Sequence, residues 1–336
     1  MDISAAGLLV STFLALFLIL SLVSYAGVIS ENSGIFNLSL EGSMLLGATI
    51  GILFLNWFNK LTFTSQWSVI IAVLIGGIAG IVPSLIHARL SIRWKASQPV
   101  VGIGLNIAFF GLFMTFITMG TITGSSIVPN WARLTYADYS FIHMGGDGLA
   151  LFIKSLLSGD ASNASAIIML SALIVVSLIF YKTRFGLRLR SCGDNPSGSE
   201  LSGINVNDTR IIASVLSGFM SGVAGISFFI CFIDARIGST AGIAFLALAI
   251  VIIGGYKGHS VVLTSLIISI VMAFCSGYSY FDFLPQFTDI DGGRYIYSLG
   301  IPCVLVFILL IVSSAWSRRP KWEEAPLDLS KSNKSE

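Results

Sequence analysis

The stretch AAGLLVSTFLALFLILSLVSYAGVI occupies positions 5–29 and decides the class of fold. It carries no charged side chain and only three serines and one threonine among aliphatic and aromatic residues. An α-helix of about 20 such residues crosses the hydrocarbon core of a bilayer, because each residue advances about 1.5 Å. A cleaved signal peptide is a poor reading of the same residues. The segment before them holds Asp2 and no Lys or Arg, and the apolar run is longer than a signal core. The pattern recurs along the chain, so 5–29 reads as a retained membrane helix.

Composition agrees with that reading. Of 336 residues, 55% are hydrophobic and 11% are charged. Soluble domains carry roughly 25% charged residues, so this chain cannot clothe a water-facing surface. Working outward from 5–29, apolar segments lie at 36–55, 67–88, 99–121, 162–181, 211–231, 241–256, 261–281 and 298–316. The expected fold is therefore an all-α polytopic membrane protein with about nine transmembrane helices. Two segments are irregular: 241–256 is short, and 36–55 opens on polar residues and contains Glu41.

Lys and Arg in short loops set orientation. Arg89, Arg93 and Lys95 follow the third segment; Lys182, Arg184, Arg188, Arg190 and Arg210 cluster around the longest polar connector; Arg318, Arg319 and Lys321 follow the last segment. These three regions are expected in the cytoplasm. The loop 122–161 sets Asp138, Asp147 and Asp160 against Arg133 and Lys154, and 282–297 sets three Asp against Arg294. Both are expected outside. Nine spans alternate on this basis, with the N-terminus outside. The outer loop has room for a short interfacial helix over 149–157, and the polar tail 317–336 reads as disordered and cytoplasmic. Residues 1–316 then form one membrane domain.

The spans within 36–121 start inside and those within 241–316 start outside, and each set opens on an irregular, glycine-containing segment. That is the pattern of an inverted repeat with broken helices meeting near the midplane. Gly218 and Gly222, the row Ser217, Ser221 and Gly225, and the pair Gly76 and Gly80 are each spaced by four. Small residues at that spacing let helices approach closely, and they are read here as packing devices.

Signals for catalysis are missing from the sequence. It contains no GxxxxGK[ST] phosphate loop, no HExxH and no GxSxG; GGYKGHS at 254–260 has the wrong spacing and reads as a tight cytoplasmic turn. Cys192, Cys231, Cys275 and Cys303 are far apart and suggest neither a disulfide framework nor a metal site. No basic stripe interleaved with aromatics points to nucleic acid. Uphill movement of a solute would then draw on an ion gradient or on a separate ATPase. The first requires acidic groups within the membrane, and Glu41 is a thin supply.

The connector GLRLRSCGDNPSGSELSGINV spans 186–206 and is longer than a plain link requires. Asn195-Pro196 starts a turn, because Pro fixes its own φ and disfavours helix in the residue before it. Ser197 to Leu201, with Ser199 and Glu200 between, form one short helix, and Gly203 closes it in the left-handed conformation. Left to the residues alone, this is either a docking element or a solvated basic loop whose arginines meet lipid phosphates.

Three passages resemble the membrane permease subunits of bacterial ABC importers for ribose and other simple sugars, branched-chain amino acids and nucleosides. GIFNLSLEGSMLLGA at 34–48 is similar to that family's Asn-Leu-x-x-Glu-Gly signature. The connector 185–206 resembles its Gly-x-x-Leu-Arg…Gly-x-Asn-Pro…Gly-Ile motif, although Ser191 and Cys192 replace a small aliphatic pair. GIAFLALAIVIIGG at 242–255 resembles its Phe-x-x-Leu-Ala…Gly-Gly segment. The Asn-Leu-x-x-Glu-Gly form is closest to the nucleoside and simple-sugar branch.

The resemblance implies a multi-pass protein of the bacterial cytoplasmic (inner) membrane that binds no cofactor itself. It implies a pair of permease subunits, homologous or identical, on cytoplasmic ATP-binding subunits, with an outer substrate-binding protein delivering nucleosides or simple sugars. Asn195, Pro196, Ser197, Ser199, Glu200, Leu201 and Gly203 then form the element that docks on the ATPase. Asn37 and Glu41 are the candidate substrate-pathway residues. On a helix they would share one face, free to meet ribose hydroxyls or base edges. In the alternative, Glu41 caps the break of its own helix and bonds backbone N–H groups near the cytoplasmic boundary. The rival to the whole reading is a secondary carrier for a small polar solute, driven by an ion gradient.

Overall fold

The computed structural model describes residues 3–62, 66–118, 128–129, 132, 161–232, 242–276 and 301–316. The outer loop 122–161, but for residues 128, 129, 132 and 161, the loop 282–297 and the tail 317–336 lie outside the described residues. All regular structure among the described residues is helical. Eleven helices follow one another: α1 Ile3–Asn32, α2 Leu40–Lys60, α3 Gln66–Arg93, α4 Gln98–Thr118, α5 Ala161–Lys182, α6 Arg184–Asp194, α7 Pro196–Leu201, α8 Val206–Cys231, α9 Ile243–Ile253, α10 Gly258–Ser276 and α11 Ile301–Trp316.

Every one of the nine apolar segments is therefore helical, but the count of nine crossings is not reached. Among the described residues, six helices are long and apolar enough to span a membrane, and a seventh is added only if α5 and α6 are taken together across a 69° bend. The shortfall is clearest at α9, which has 11 residues. It rises only about 16 Å, half the thickness of the hydrocarbon core. Gly242 before it adopts φ 72°, and a turn with Gly255 and Tyr256 both at φ 62° follows it.

Trp57 and Trp67 near one end of the α2–α3 hairpin, and Trp94 just past the other end of α3, are all well exposed. Amphipathic indole rings favour the two water–lipid interfaces. The 28 residues of α3 cover about 42 Å, enough to carry Trp67 and Trp94 to opposite interfaces.

The centre of the bundle is α2, α3 and α8, and glycine sets their spacing. A Cβ at Gly222 would lie 2.5 Å from the Gly76 carbonyl oxygen and 2.9 Å from the Gly80 Cα. A Cβ at Gly47 would lie 2.5 Å from the Gly222 Cα. The backbones thus touch directly, as the four-residue glycine spacing implied. Lipid tails are as apolar as leucine, so this close packing, rather than expulsion of water, holds the helices together. Met220, Ala224 and Ile226 of α8 and Met44, Ala48 and Ile52 of α2 fill the surrounding core.

Two tests follow from this architecture. Gly80→Leu should cost about 1–3 kcal/mol through overpacking, read as a lower unfolding temperature in detergent than wild type. Single cysteines at Ser162 and Ser197, at opposite ends of the α5 crossing, should react with an impermeant maleimide from opposite faces of the membrane.

Candidate functional site

The segment between α1 and α2 enters the membrane interior as irregular backbone, and its polar groups need protein partners because lipid offers none. The Phe36 N–H donates to Gln98 Oε1 at 2.8 Å. The Gln98 carbonyl in turn meets His87 Nε2 at 3.1 Å, which places the proton on that nitrogen, since a carbonyl can only accept. Asn37 is fully buried and precedes the helix. Its Oδ1 accepts from the Ser39 N–H at 3.1 Å and the Ser39 hydroxyl at 2.6 Å. Its Nδ2 donates to Ser84 Oγ at 3.1 Å and, weakly, to Ser217 Oγ at 3.5 Å. Asn37 therefore links the start of α2 to α3 and α8.

Asn106 on α4 completes this end. Its Oδ1 accepts from the Gly42 N–H at 2.8 Å and its Nδ2 donates to the Leu38 carbonyl at 2.8 Å. One side chain satisfies a donor in the first turn of α2 and an acceptor just before it. Ser43 and Ser84 bridge α2 to α3 through their hydroxyls at 3.0 Å.

Glu41 points elsewhere. Its Oε2 accepts from the Ala244 N–H at 3.0 Å, in the first turn of α9. Gly242, at the N-cap of α9, has no side chain with which to cap it. The carboxylate takes that place from another helix, where the positive end of the α9 dipole also favours a negative charge. The expected shared helical face of Asn37 and Glu41 is not formed. α2 begins at Leu40, so Asn37 lies outside the helix, and the two side chains engage different neighbours. Glu41 does bond a backbone N–H at a broken helix, but that helix is α9. The length of α9, about 16 Å, separates Glu41 from the turn at Gly255 and Tyr256.

The connector 182–210 folds as a bent arm. Thr183 Oγ1 caps α6 by accepting from the Gly186 N–H at 3.3 Å. Asn195 Oδ1 caps α7 by accepting from the Gly198 N–H at 3.0 Å, with Pro196 in the first helical turn. Gly203 at φ 80° donates its N–H to the Glu200 carbonyl at 2.9 Å, and the Ile204 N–H bonds the Ser199 carbonyl at 3.0 Å. Residues 195–203 thus make one capped helical turn and a half, as their sequence implied. Ser199 is buried against the arm, whereas Ser197 and Glu200 are exposed and Leu201 is 92% exposed.

The flanking arginines divide. Arg188 is exposed. The Arg190 guanidinium stacks on Phe180 and Tyr181, 5.4 and 5.7 Å from the ring centres. Arg210 Nε donates to the Ser33 carbonyl at 3.1 Å. The Tyr181 hydroxyl accepts from the Gly258 N–H at 2.9 Å and ties the elbow to α10. Among the described residues, no group of three His, Cys, Asp or Glu side chains is placed to hold a metal ion.

Gln98 and Asn106 are site residues that sequence reasoning missed, and it did not foresee that Arg190 stacks on Phe180 and Tyr181. Asn106 did leave a signal, as a lone amide in the apolar run IGLNIAFFGLF. An uncompensated amide in lipid costs several kcal/mol, so such a residue calls for a partner.

A bundle of apolar helices with one half-length member, joined by a capped polar arm, is an architecture suited to a membrane permease. Comparison with known proteins places it further. Residues 9–314 match the family model described as branched-chain amino acid transport system / permease component, and the chain belongs to that family. It is 30% identical to the guanosine ABC transporter permease protein NupQ of Bacillus subtilis over 91% of this chain and 92% of that one. It is 30% identical to the nucleoside ABC transporter permease protein NupC of Lactococcus lactis over 73% and 74% of the two chains. The autoinducer 2 import system permease protein LsrC of Yersinia enterocolitica is 29% identical over 64% of this chain and 68% of its own.

The chain is thus a multi-pass permease subunit of an ABC importer in the cytoplasmic membrane. ATP hydrolysis lies on a partner chain, and a substrate-binding partner belongs to the complex. The ion-gradient carrier is set aside.

The geometry around Glu41 yields a stability test. Glu41→Gln keeps an acceptor oxygen for the Ala244 N–H, whereas Glu41→Leu leaves that donor buried and unpaired, at a cost of about 1–3 kcal/mol. In detergent, Leu should lower the unfolding temperature clearly more than Gln does.

Proposed function

We propose that this permease imports nucleosides, taking the substrate from an outer binding protein and working as one of two permease subunits, homologous or identical, on cytoplasmic ATPases. The substrate class rests on the similarity to guanosine and nucleoside permeases and on the Asn37…Glu41-Gly42 form of the α2 entry. In this reading 1–316 is one permease domain surrounded by lipid, with 317–336 a cytoplasmic tail. Its nine helical segments make nine crossings, with α2–α4 and α9–α11 related as an inverted repeat. The meeting of the first turns of α2 and α9 at Glu41 supports the repeat, because both are the openers of their halves.

Residues 195–203 dock on the ATPase. The observation that carries this assignment is Leu201, almost wholly exposed at the end of a helix capped at both ends. A six-residue helix is too short to be stable alone, and here its caps and the buried Ser199 hold it in place. Presenting a rigid leucine to a partner groove is a use for such rigidity. Asn37 and Glu41 act on the pathway by fixing the inner ends of α2 and α9, which form its wall, rather than by touching solute in the closed state.

Pull-down of the ATPase and uptake of radiolabelled guanosine into proteoliposomes test this. Ser199→Pro removes the N–H that bonds the Asn195 carbonyl at 3.0 Å, and Glu200→Arg reverses an exposed charge. Both variants should insert normally, and each should lose at least tenfold in ATPase capture and in uptake. Leu201→Ala should weaken capture by about 1–3 kcal/mol, the value of a fully buried leucine side chain. Normal capture by Ser199→Pro and Glu200→Arg would refute the docking assignment. Asn37→Ala and Glu41→Leu that transport guanosine at wild-type rates would refute the pathway assignment.

A further inference from the structure

We propose that Asn32 is a positioning residue that carries displacement of the docking arm to the broken helix ends inside the membrane, with α9 as the strut. The proposal rests on the docking role assigned to 195–203. The Asn32 main-chain carbonyl packs on Gly193, where an added Cβ would overlap it. Gly193 lies two residues before the Asn195 cap of α7. Backbone meets backbone there, so no side-chain rotamer can absorb a movement of the arm.

The Asn32 side chain faces the other way. Its Nδ2 has two hydrogens, and it donates to Val28 O at 2.8 Å in its own helix and to Tyr256 O at 3.0 Å. Tyr256 belongs to the turn that ends α9, and it adopts φ 62° beside Gly255 at the same φ. Left-handed backbone at a residue with a Cβ costs about 1–2 kcal/mol and needs its surroundings to hold it. The Asn32 bond is one such restraint. The far end of α9 is the Ala244 N–H held by Glu41. An 11-residue helix with both ends bonded moves as a rod of about 16 Å. Arm, Asn32, α9 turn and Glu41 thus form one continuous line of backbone contacts and hydrogen bonds. Asn32 links the arm to the turn that ends α9, beside the bond from the Gly258 N–H to Tyr181.

The test uses the assembled transporter, with binding protein and ATPase, in proteoliposomes, with guanosine as the probe. Asn32→Leu removes the donor at similar size, and Asn32→Ala removes it without a bulky replacement. ATPase capture is measured first, then guanosine delivered per ATP hydrolysed. Both variants should capture the ATPase like wild type and deliver at least fivefold less guanosine per ATP. A merely structural defect would lower uptake and hydrolysis together and leave that ratio unchanged. Combining Asn32→Leu with Glu41→Leu should lower the ratio no further than the worse single change, because both act on one line. An unchanged ratio in both Asn32 variants, or multiplying losses in the double variant, would overturn the proposal. Loss of ATPase capture would overturn it too, by placing Asn32 in docking itself, whereas failure of the docking assignment is read separately from Ser199→Pro.

Discussion

A helix that ends inside a bilayer leaves backbone N–H groups with no solvent to satisfy them, and this constraint organises the interior of the permease. α9 begins about half a membrane away from its cytoplasmic turn, and Gly242 offers it no cap. Glu41 supplies the missing acceptor from another helix. The entry to α2 has the same difficulty, and Asn37, Gln98 and Asn106 answer it. A charge at mid-membrane is expensive. Here the carboxylate is paired with the positive end of a helix dipole, which offsets part of its desolvation.

These bonds divide the bundle into parts of different stiffness. α2, α3 and α8 are locked by direct backbone contact across Gly47, Gly76, Gly80, Gly218 and Gly222. Such contacts leave little room for sliding. α9 is hydrogen-bonded at its ends by one carboxylate and one amide, and Val251 and Leu248 pack against Gly27 of α1. Hydrogen-bonded ends can exchange partners, whereas interlocked glycines cannot without parting the helices. Movement driven from the cytoplasm is therefore expected at α9, against a fixed wall of α2, α3 and α8. The elbow at Thr183, braced by Arg190 on two aromatic rings and by Tyr181 on Gly258, joins the arm to α10 beside that moving part.

Much of this was legible in the sequence, and the limits have physical causes. Apolar length located all nine helical segments, because the cost of exposed backbone in lipid leaves few alternatives to helix. The four-residue glycine spacing identified the close contacts, since it recurs on one helix face. The short helix at 196–201 followed from local chemistry alone: Asn-Pro at its start and Gly203 past its end. The shared face of Asn37 and Glu41 was misread because the apolar segment was placed from 36 whereas α2 begins at Leu40, and a four-residue difference moves a side chain off the helix altogether. The partners of Glu41 and Asn106 lie 203 and 64 residues away. No periodicity reports such pairings. Fewer than nine helices among the described residues are long enough to span a membrane, because α9 is apolar throughout yet only half as long as the membrane is thick.

The depth of the α9 N-terminus tests the central claim most directly. Phe245 lies next to Ala244 and is 46% exposed, so a nitroxide attached there reaches lipid. Its collision rates with oxygen and with a water-soluble nickel chelate measure its depth in the bilayer. A label about 15 Å below the edge of the hydrocarbon core, near the midplane, is the predicted result. A label at headgroup depth, freely reached by the chelate, would mean that α9 does not begin inside the membrane and that Glu41 caps no buried helix end.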